Sequence, residues 1–134
     1  MVLLSALTIV FFVQCILYLL NVRSRYRDLP ASARDFDGAI KRGQIPDGAS
    51  VEQWREAVGI RHRLLRSGIL IEITLLLTGL GNVARYISQD NAAMSALTGG
   101  TAAIWLMAAA YDRQSRRDTA ALLETLESAP RVAS

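Results

Sequence analysis

Three apolar blocks interrupt this chain, and charge is confined to the stretches between and after them. The first, "VLLSALTIVFFVQCILYLL" at residues 2–20, has no charge. The second, residues 68–84, has one, Glu72. The third, "AAMSALTGGTAAIWLMAAAY" at residues 92–111, has none. A helix needs about 20 mainly apolar residues to cross ~30 Å of hydrocarbon, and each block approaches that length. The second is the weakest: its apolar stretch rises only about 26 Å at 1.5 Å per residue, so Arg85 is expected to snorkel at its far end. The pattern predicts an all-α chain of three transmembrane helices at 1–21, 67–87 and 92–111. A loop at 22–66, a short turn at 88–91 and a helical tail at 112–134 complete the expectation.

The loop is too long to be a bare connection, and two helices are expected within it. The first covers "PASARDFDGAIKR", with Pro30 near its start, Ser32 and Asp35 in capping-box spacing, and Gly43 as its stop. Phe36, Ala39 and Ile40 make one narrow apolar stripe on it. "IPDG" at 45–48 is a turn. The second helix is "SVEQWREAVGIRHRLLR" at 50–66, opened by Ser50 and Gln53. On its wheel Val51, Trp54, Ala57, Val58, Leu64 and Leu65 gather on one half, and Arg55, Gly59, Arg63 and Arg66 on the other. A tryptophan opposite arginines is the pattern of a helix lying in the headgroup plane, with Trp54, Arg55, Arg61, Arg63 and Arg66 at the membrane surface. Such a helix would turn at Ser67-Gly68 into the second span.

The stretch "RGQIPDGASVEQWREAV" at 42–58, in which a G-x-I-P turn precedes a helix bearing Trp54-Arg55, resembles an element of small actinobacterial multi-pass membrane proteins of unknown function. The resemblance covers about an eighth of the chain and implies a membrane location without implying an active site.

Within the second span, Gly68, Gly79, Val83 and Tyr86 fall near Glu72 on the wheel, with Asn82 at the edge of that flank. The opposite flank carries Thr74, Thr78, Gly81 and Arg85, and a sector of Leu70, Ile73, Leu77, Leu80 and Ala84 is left to face lipid. Small residues let helix backbones approach closely, so Gly68, Gly79 and Gly81 are expected to pack against Gly99 and Ala103 of the third span and against the first. Four polar side chains are candidate intramembrane contacts: Glu72, Gln14, Asn82 and Ser95. Ser95 matches Asn82 in depth, so those two are expected to hydrogen-bond. Ser5, Thr8 and Cys15 form a thin stripe on the first span, with Gln14 pointing away from it. A carboxylate at the bilayer centre costs about 2.5–3.5 kcal/mol on insertion scales, less toward the interface. A hydrogen bond from Gln14, or a pairing with Arg23 or Arg25, would lower that cost. The alternative role for Glu72 is a proton or cation site.

Charge sets the orientation. Ten of the 15 Lys and Arg lie between Arg23 and Arg66, and four more lie in the tail. Only Arg85 borders the turn between the second and third spans. By the positive-inside rule the N-terminus is outside, and the loop and C-terminus are inside. No positive region precedes the first block and no small-residue cleavage site follows it, so it is expected to remain as an anchor. Fourteen of the 15 basic residues are Arg, the usage of a GC-rich bacterial genome, and a bacterial inner membrane is expected.

The same residues exclude several chemistries. Cys15 is alone, and His62 has no second His or Cys to complete a metal site. The glycines of "TGLGN" at 78–82 and "TGG" at 98–100 lack the strand-turn-helix setting of a phosphate loop, so no cofactor is expected. Six acids against ten basic residues leave the loop at +4, too balanced for nucleic-acid binding. No nucleophile is paired with a base, and no enzyme activity is expected. What remains is a membrane accessory, assembly or scaffold subunit whose partners are lipids and other membrane proteins or a second copy of itself. A phage holin-like pore former and a small transporter or proton-coupled subunit using Glu72 are the alternatives.

Overall fold

The computed structural model describes residues 2–130; the side chains of residues 2–5, 7 and 8 and all of residues 131–134 fall outside that description, and with them Ser5, Thr8 and Arg131. Among the described residues the chain is all-helical: α1 (Val2–Ser24), α2 (Ala33–Arg42), α3 (Val51–Ser88) and α4 (Ala92–Ser128).

Local chemistry sets the ends of these helices. The Ser32 hydroxyl accepts from the Asp35 backbone N–H at 3.2 Å and starts α2. Gly43 stops it in the left-handed region at φ 68°. The Gly43 N–H bonds to the Ile40 carbonyl and the Gln44 N–H to that of Ala39, a Schellman closure. Ser50 caps α3. The turn from α3 to α4 combines two devices in three residues. Asp90 sits at φ 50° while the Asn91 N–H reaches back to the Tyr86 carbonyl. The Asn91 side chain then accepts from the Met94 N–H and opens α4.

The helix α3 is continuous from Val51 to Ser88, so the break expected at Ser67-Gly68 does not occur. A glycine inside a helix costs about 1 kcal/mol, too little to break one held by packing on either side. Leu65 and Leu75, 0% and 1% exposed, supply that packing.

Contacts divide the chain into two units, with boundaries at residues 21/22, 66/67 and 111/112. Unit 1 comprises 1–21 and 67–111. On α3 its buried positions are Gly68, Glu72, Leu75, Gly79 and Asn82, alternating spacings of four and three, the seam of knobs-into-holes packing. Leu70, Ile73, Leu77, Leu80 and Ala84, the sector expected toward lipid, are exposed. The helix α1 exposes Ile9, Phe12, Val13, Ile16, Leu19 and Leu20. Two helices, α3 and α4, are long and apolar enough to cross a membrane, and only 6% of the apolar stretch of α4 is buried, unlike the core helix of a soluble protein. The described apolar part of α1, Ile9–Ser24, is shorter.

Unit 2 comprises 22–66 and 112–134 and has its own core of Phe36, Ala39, Ile40, Trp54, Val58, Leu122 and Leu126. The α2 stripe meets the apolar face of the first half of α3 and the leucine stripe at the end of α4. Phe36 and Trp54 stack with ring centroids 5.3 Å apart. This corrects the expectation of an interfacial helix. Trp54 is 2% exposed, so the face it occupies is covered by protein and is not free to lie on headgroups.

Candidate functional site

The polar residues of unit 1 are distributed between contacts and a cavity. Thr78 lies one turn past Thr74 and donates its hydroxyl to the Thr74 carbonyl at 2.8 Å and to Gln14 Oε1 at 3.1 Å. The partner of Gln14 is therefore Thr78. Glu72 is buried, 7% exposed, on the seam of α3. Ala102 of α4 lies against Gly79 of α3: a Cβ placed on Gly79 would meet the Ala102 Cβ at 3.8 Å. Tyr18 and Trp105 pack edge to face, 5.0 Å between centroids.

Asn82 and Ser95 do not bond to one another. The Ser95 hydroxyl donates to the Asn91 carbonyl one turn back, at 2.9 Å. Asn82 is 6% exposed and its Oδ1 has no hydrogen-bond partner. Asn82 lines a cavity of about 400 Å³ together with Phe11, Phe12, Cys15, Leu97 and Trp105. The indole Nε1 of Trp105 is likewise buried and unpartnered. The sequence suggested a pairing of Asn82 with Ser95, but the competing backbone acceptor one turn away was the shorter route for the serine.

Of the small residues expected at helix contacts, Gly68 and Gly79 are buried, Gly99 is half-buried, and Gly81 and Ala103 are exposed. The seam on α3 follows the Glu72 flank, which leaves Gly81 on the outer side of the unit.

Unit 2 holds the ionic chemistry. In the turn after α1, Arg25 makes two bonds of 2.8 Å to the carboxylate of Asp112, with both side chains under 5% exposed. Arg61, expected at the membrane surface, is 3% exposed and bonds to Asp37 at 2.5 Å and Ser115 at 3.3 Å. Its guanidinium lies 5.2 Å from the centre of the Tyr26 ring, while the Tyr26 hydroxyl donates to the same Asp37 carboxylate. Arg55, also expected at the surface, donates from Nε and Nη2 to the Leu126 carbonyl and pairs with Glu52. Only Arg63 and Arg66 of that set are exposed. Sequence reading assigned Arg61 by wheel position and offered Arg25 to Glu72; the acids that claim them, Asp37 on α2 and Asp112 at the start of the tail, come from other elements. The location of Asp112 just beyond the third apolar block was the available signal; Asp37, within α2, gave none.

His62 is half-buried with Nδ1 unpartnered. Arg85 places its guanidinium 5.2 Å from the Tyr86 ring centre. No group of three or more His, Cys, Asp or Glu able to hold a metal ion occurs among the described residues. No known protein family, curated protein or solved structure matches this chain.

Proposed function

We propose that this chain is a multi-pass protein of a bacterial inner membrane. In this reading three helices cross the lipid, the N-terminus faces outside, and residues 22–66 and 112–134 face the cytoplasm. Its role is that of an accessory, assembly or scaffold subunit that binds other membrane proteins, or a second copy of itself, through helix–helix and juxtamembrane contacts. The bias of arginine toward one side of the apolar blocks supports the orientation.

One observation carries the role. Gly81 and Ala103, small residues suited to close helix contact, are exposed on unit 1 and are not spent on its internal packing. Exposed small positions on a lipid-facing surface suit a neighbouring helix better than they suit acyl chains, because the backbone there is open to approach. Unit 2, with its own core, offers a folded surface for the accompanying contact outside the bilayer.

The test is recovery of the tagged chain in mild detergent beside variants Gly81→Leu and Ala103→Leu. A defined membrane protein, or a second differently tagged copy, should be recovered with the parent and lost with the variants. Recovery of the single chain alone in all cases would count against the role. For orientation, a Cys15→Ser chain carrying Gln44→Cys should resist an impermeant maleimide in intact cells and react after permeabilisation. Reaction in intact cells would reverse the topology.

A further inference from the structure

Charge is spread unevenly over unit 2. Its three edges toward the apolar blocks, residues 22–28, 60–66 and 112–118, hold nine Arg against three Asp, +6. The rest of the unit holds five basic residues against seven acidic ones, −2. Two contacts bring the edges together. Arg25 on Asp112 joins the first to the third, and Arg61 Nη2, 3.3 Å from the Ser115 hydroxyl, joins the second to the third.

The carboxylates at these edges are already engaged. Asp112 holds Arg25, Asp28 pairs with Arg27, and Asp118 accepts from the Gln114 amide. Arg23, Arg63, Arg66, Arg113 and Arg117 are exposed, and no ion pair among the described residues includes them. The exposed acids of the long helices, Glu52 and Glu56 on α3 and Glu124 and Glu127 on α4, lie farther along. At 1.5 Å per residue they stand about 15 Å or more of helix rise from the edges, beyond the reach of these arginines.

We propose that these five arginines form a binding surface for anionic phospholipid, each guanidinium taking headgroup phosphate oxygens. Three features select that partner. Like charges gathered on adjoining chain segments repel one another, and a mobile anion relieves the repulsion that no carboxylate of the unit neutralises. All nine basic residues of the edges are Arg, while the one lysine, Lys41, lies elsewhere. The planar guanidinium fork matches two phosphate oxygens, which an ammonium does not. Finally, each edge lies within two residues of an apolar block, the depth of the headgroups if those blocks cross the lipid. A zwitterionic headgroup carries its own cation and offsets less of the repulsion. The headgroup contact thus falls to these arginines in place of the face around Trp54.

The proposal rests on the apolar blocks lying in lipid, and its test separates the two. The full chain, purified in a nonionic detergent, is mixed with phosphatidylglycerol or with phosphatidylcholine, and bound lipids are counted by native mass spectrometry. An arginine near an anionic surface contributes about fivefold in affinity, so the parent should bind phosphatidylglycerol at least about tenfold more tightly. Combining Arg63→Gln, Arg66→Gln and Arg113→Gln should lower that preference to about twofold or less. A control combining Arg34→Gln, Lys41→Gln and Arg42→Gln removes as many charges from exposed positions of α2 and should keep the preference. Equal affinity for the two lipids in the parent overturns the proposal without any variant, as does an equal loss in the two triple variants. Stripping of bound phosphatidylglycerol by millimolar inorganic phosphate would assign the arginines to a soluble anion and overturn the lipid as partner. A chain that stays soluble without detergent or lipid defeats the membrane reading itself, a different result from any of these.

Discussion

Arg25 and Asp112 meet in a two-pronged ion pair, 2.8 Å at each contact, although 87 positions separate them. One lies just after the first apolar block and the other just after the third, so the pair ties the beginning of unit 2 to its second segment. A guanidinium fork matches a carboxylate in plane and in spacing, which is why this geometry recurs in buried pairs.

Removing one member should be far worse than removing both. Asp112→Ala leaves a buried guanidinium uncompensated, and a loss of about 3–5 kcal/mol is expected in denaturant unfolding followed by Trp54 emission. The double variant Arg25→Met with Asp112→Leu should recover most of that loss, since apolar replacements of similar volume often match a buried pair. An additive double variant would show that the pair is not coupled.

Trp54 should behave as a core residue and not as a membrane anchor. Its emission is expected to be short-wavelength, protected from aqueous acrylamide, and unchanged by the proportion of anionic lipid, measured in a Trp105→Phe background. Trp54→Ala should cost about 3–5 kcal/mol, the range for emptying a large aromatic site. Quenching by headgroup-labelled lipid would restore the interfacial reading.

Gly43→Ala is a test of the α2 stop. Its φ of 68° places a Cβ against its own backbone, although the surroundings are open. A loss of about 1–2 kcal/mol is expected, read as a lower unfolding midpoint of unit 2 with α-helical content retained.

Gln14→Leu should be mild. The Thr78 hydroxyl keeps its bond to the Thr74 carbonyl, so no donor is stranded, and interhelical hydrogen bonds in membranes average about 0.6 kcal/mol. Thermal unfolding in detergent should fall by a few degrees at most. A collapse of the fold would show that Gln14 supports something more than Thr78.

Glu72→Gln distinguishes packing from proton chemistry. The isosteric amide keeps the volume of a side chain that is 7% exposed, so the unit should fold and assemble as before. Loss of a proton-dependent phenotype with assembly intact would favour the transporter reading.

Much of the architecture was legible because it depends on patterns that repeat locally. The apolar blocks, Ser32 and Gly43 at the ends of α2, and the exposed apolar sector around Leu70 and Leu77 all follow from helical period and the ordinary chemistry of caps. The units divide where apolar composition gives way to charge, at 21/22, 66/67 and 111/112. The helix wheel put Trp54 on an apolar face correctly, but a wheel shows only that a face needs covering. It says nothing about whether lipid or Phe36, Leu122 and Leu126 will cover it.

By itself the sequence determined which stretches are oily, where helices start and stop, and how the arginines sort along the chain. Those properties depend on neighbours a few residues away. The tertiary structure alone decided who meets whom: Arg25 with Asp112, Arg61 with Asp37, and Gln14 with Thr78. Such choices are made between groups far apart in sequence, where several partners satisfy the same chemistry and only the packing of whole helices selects one.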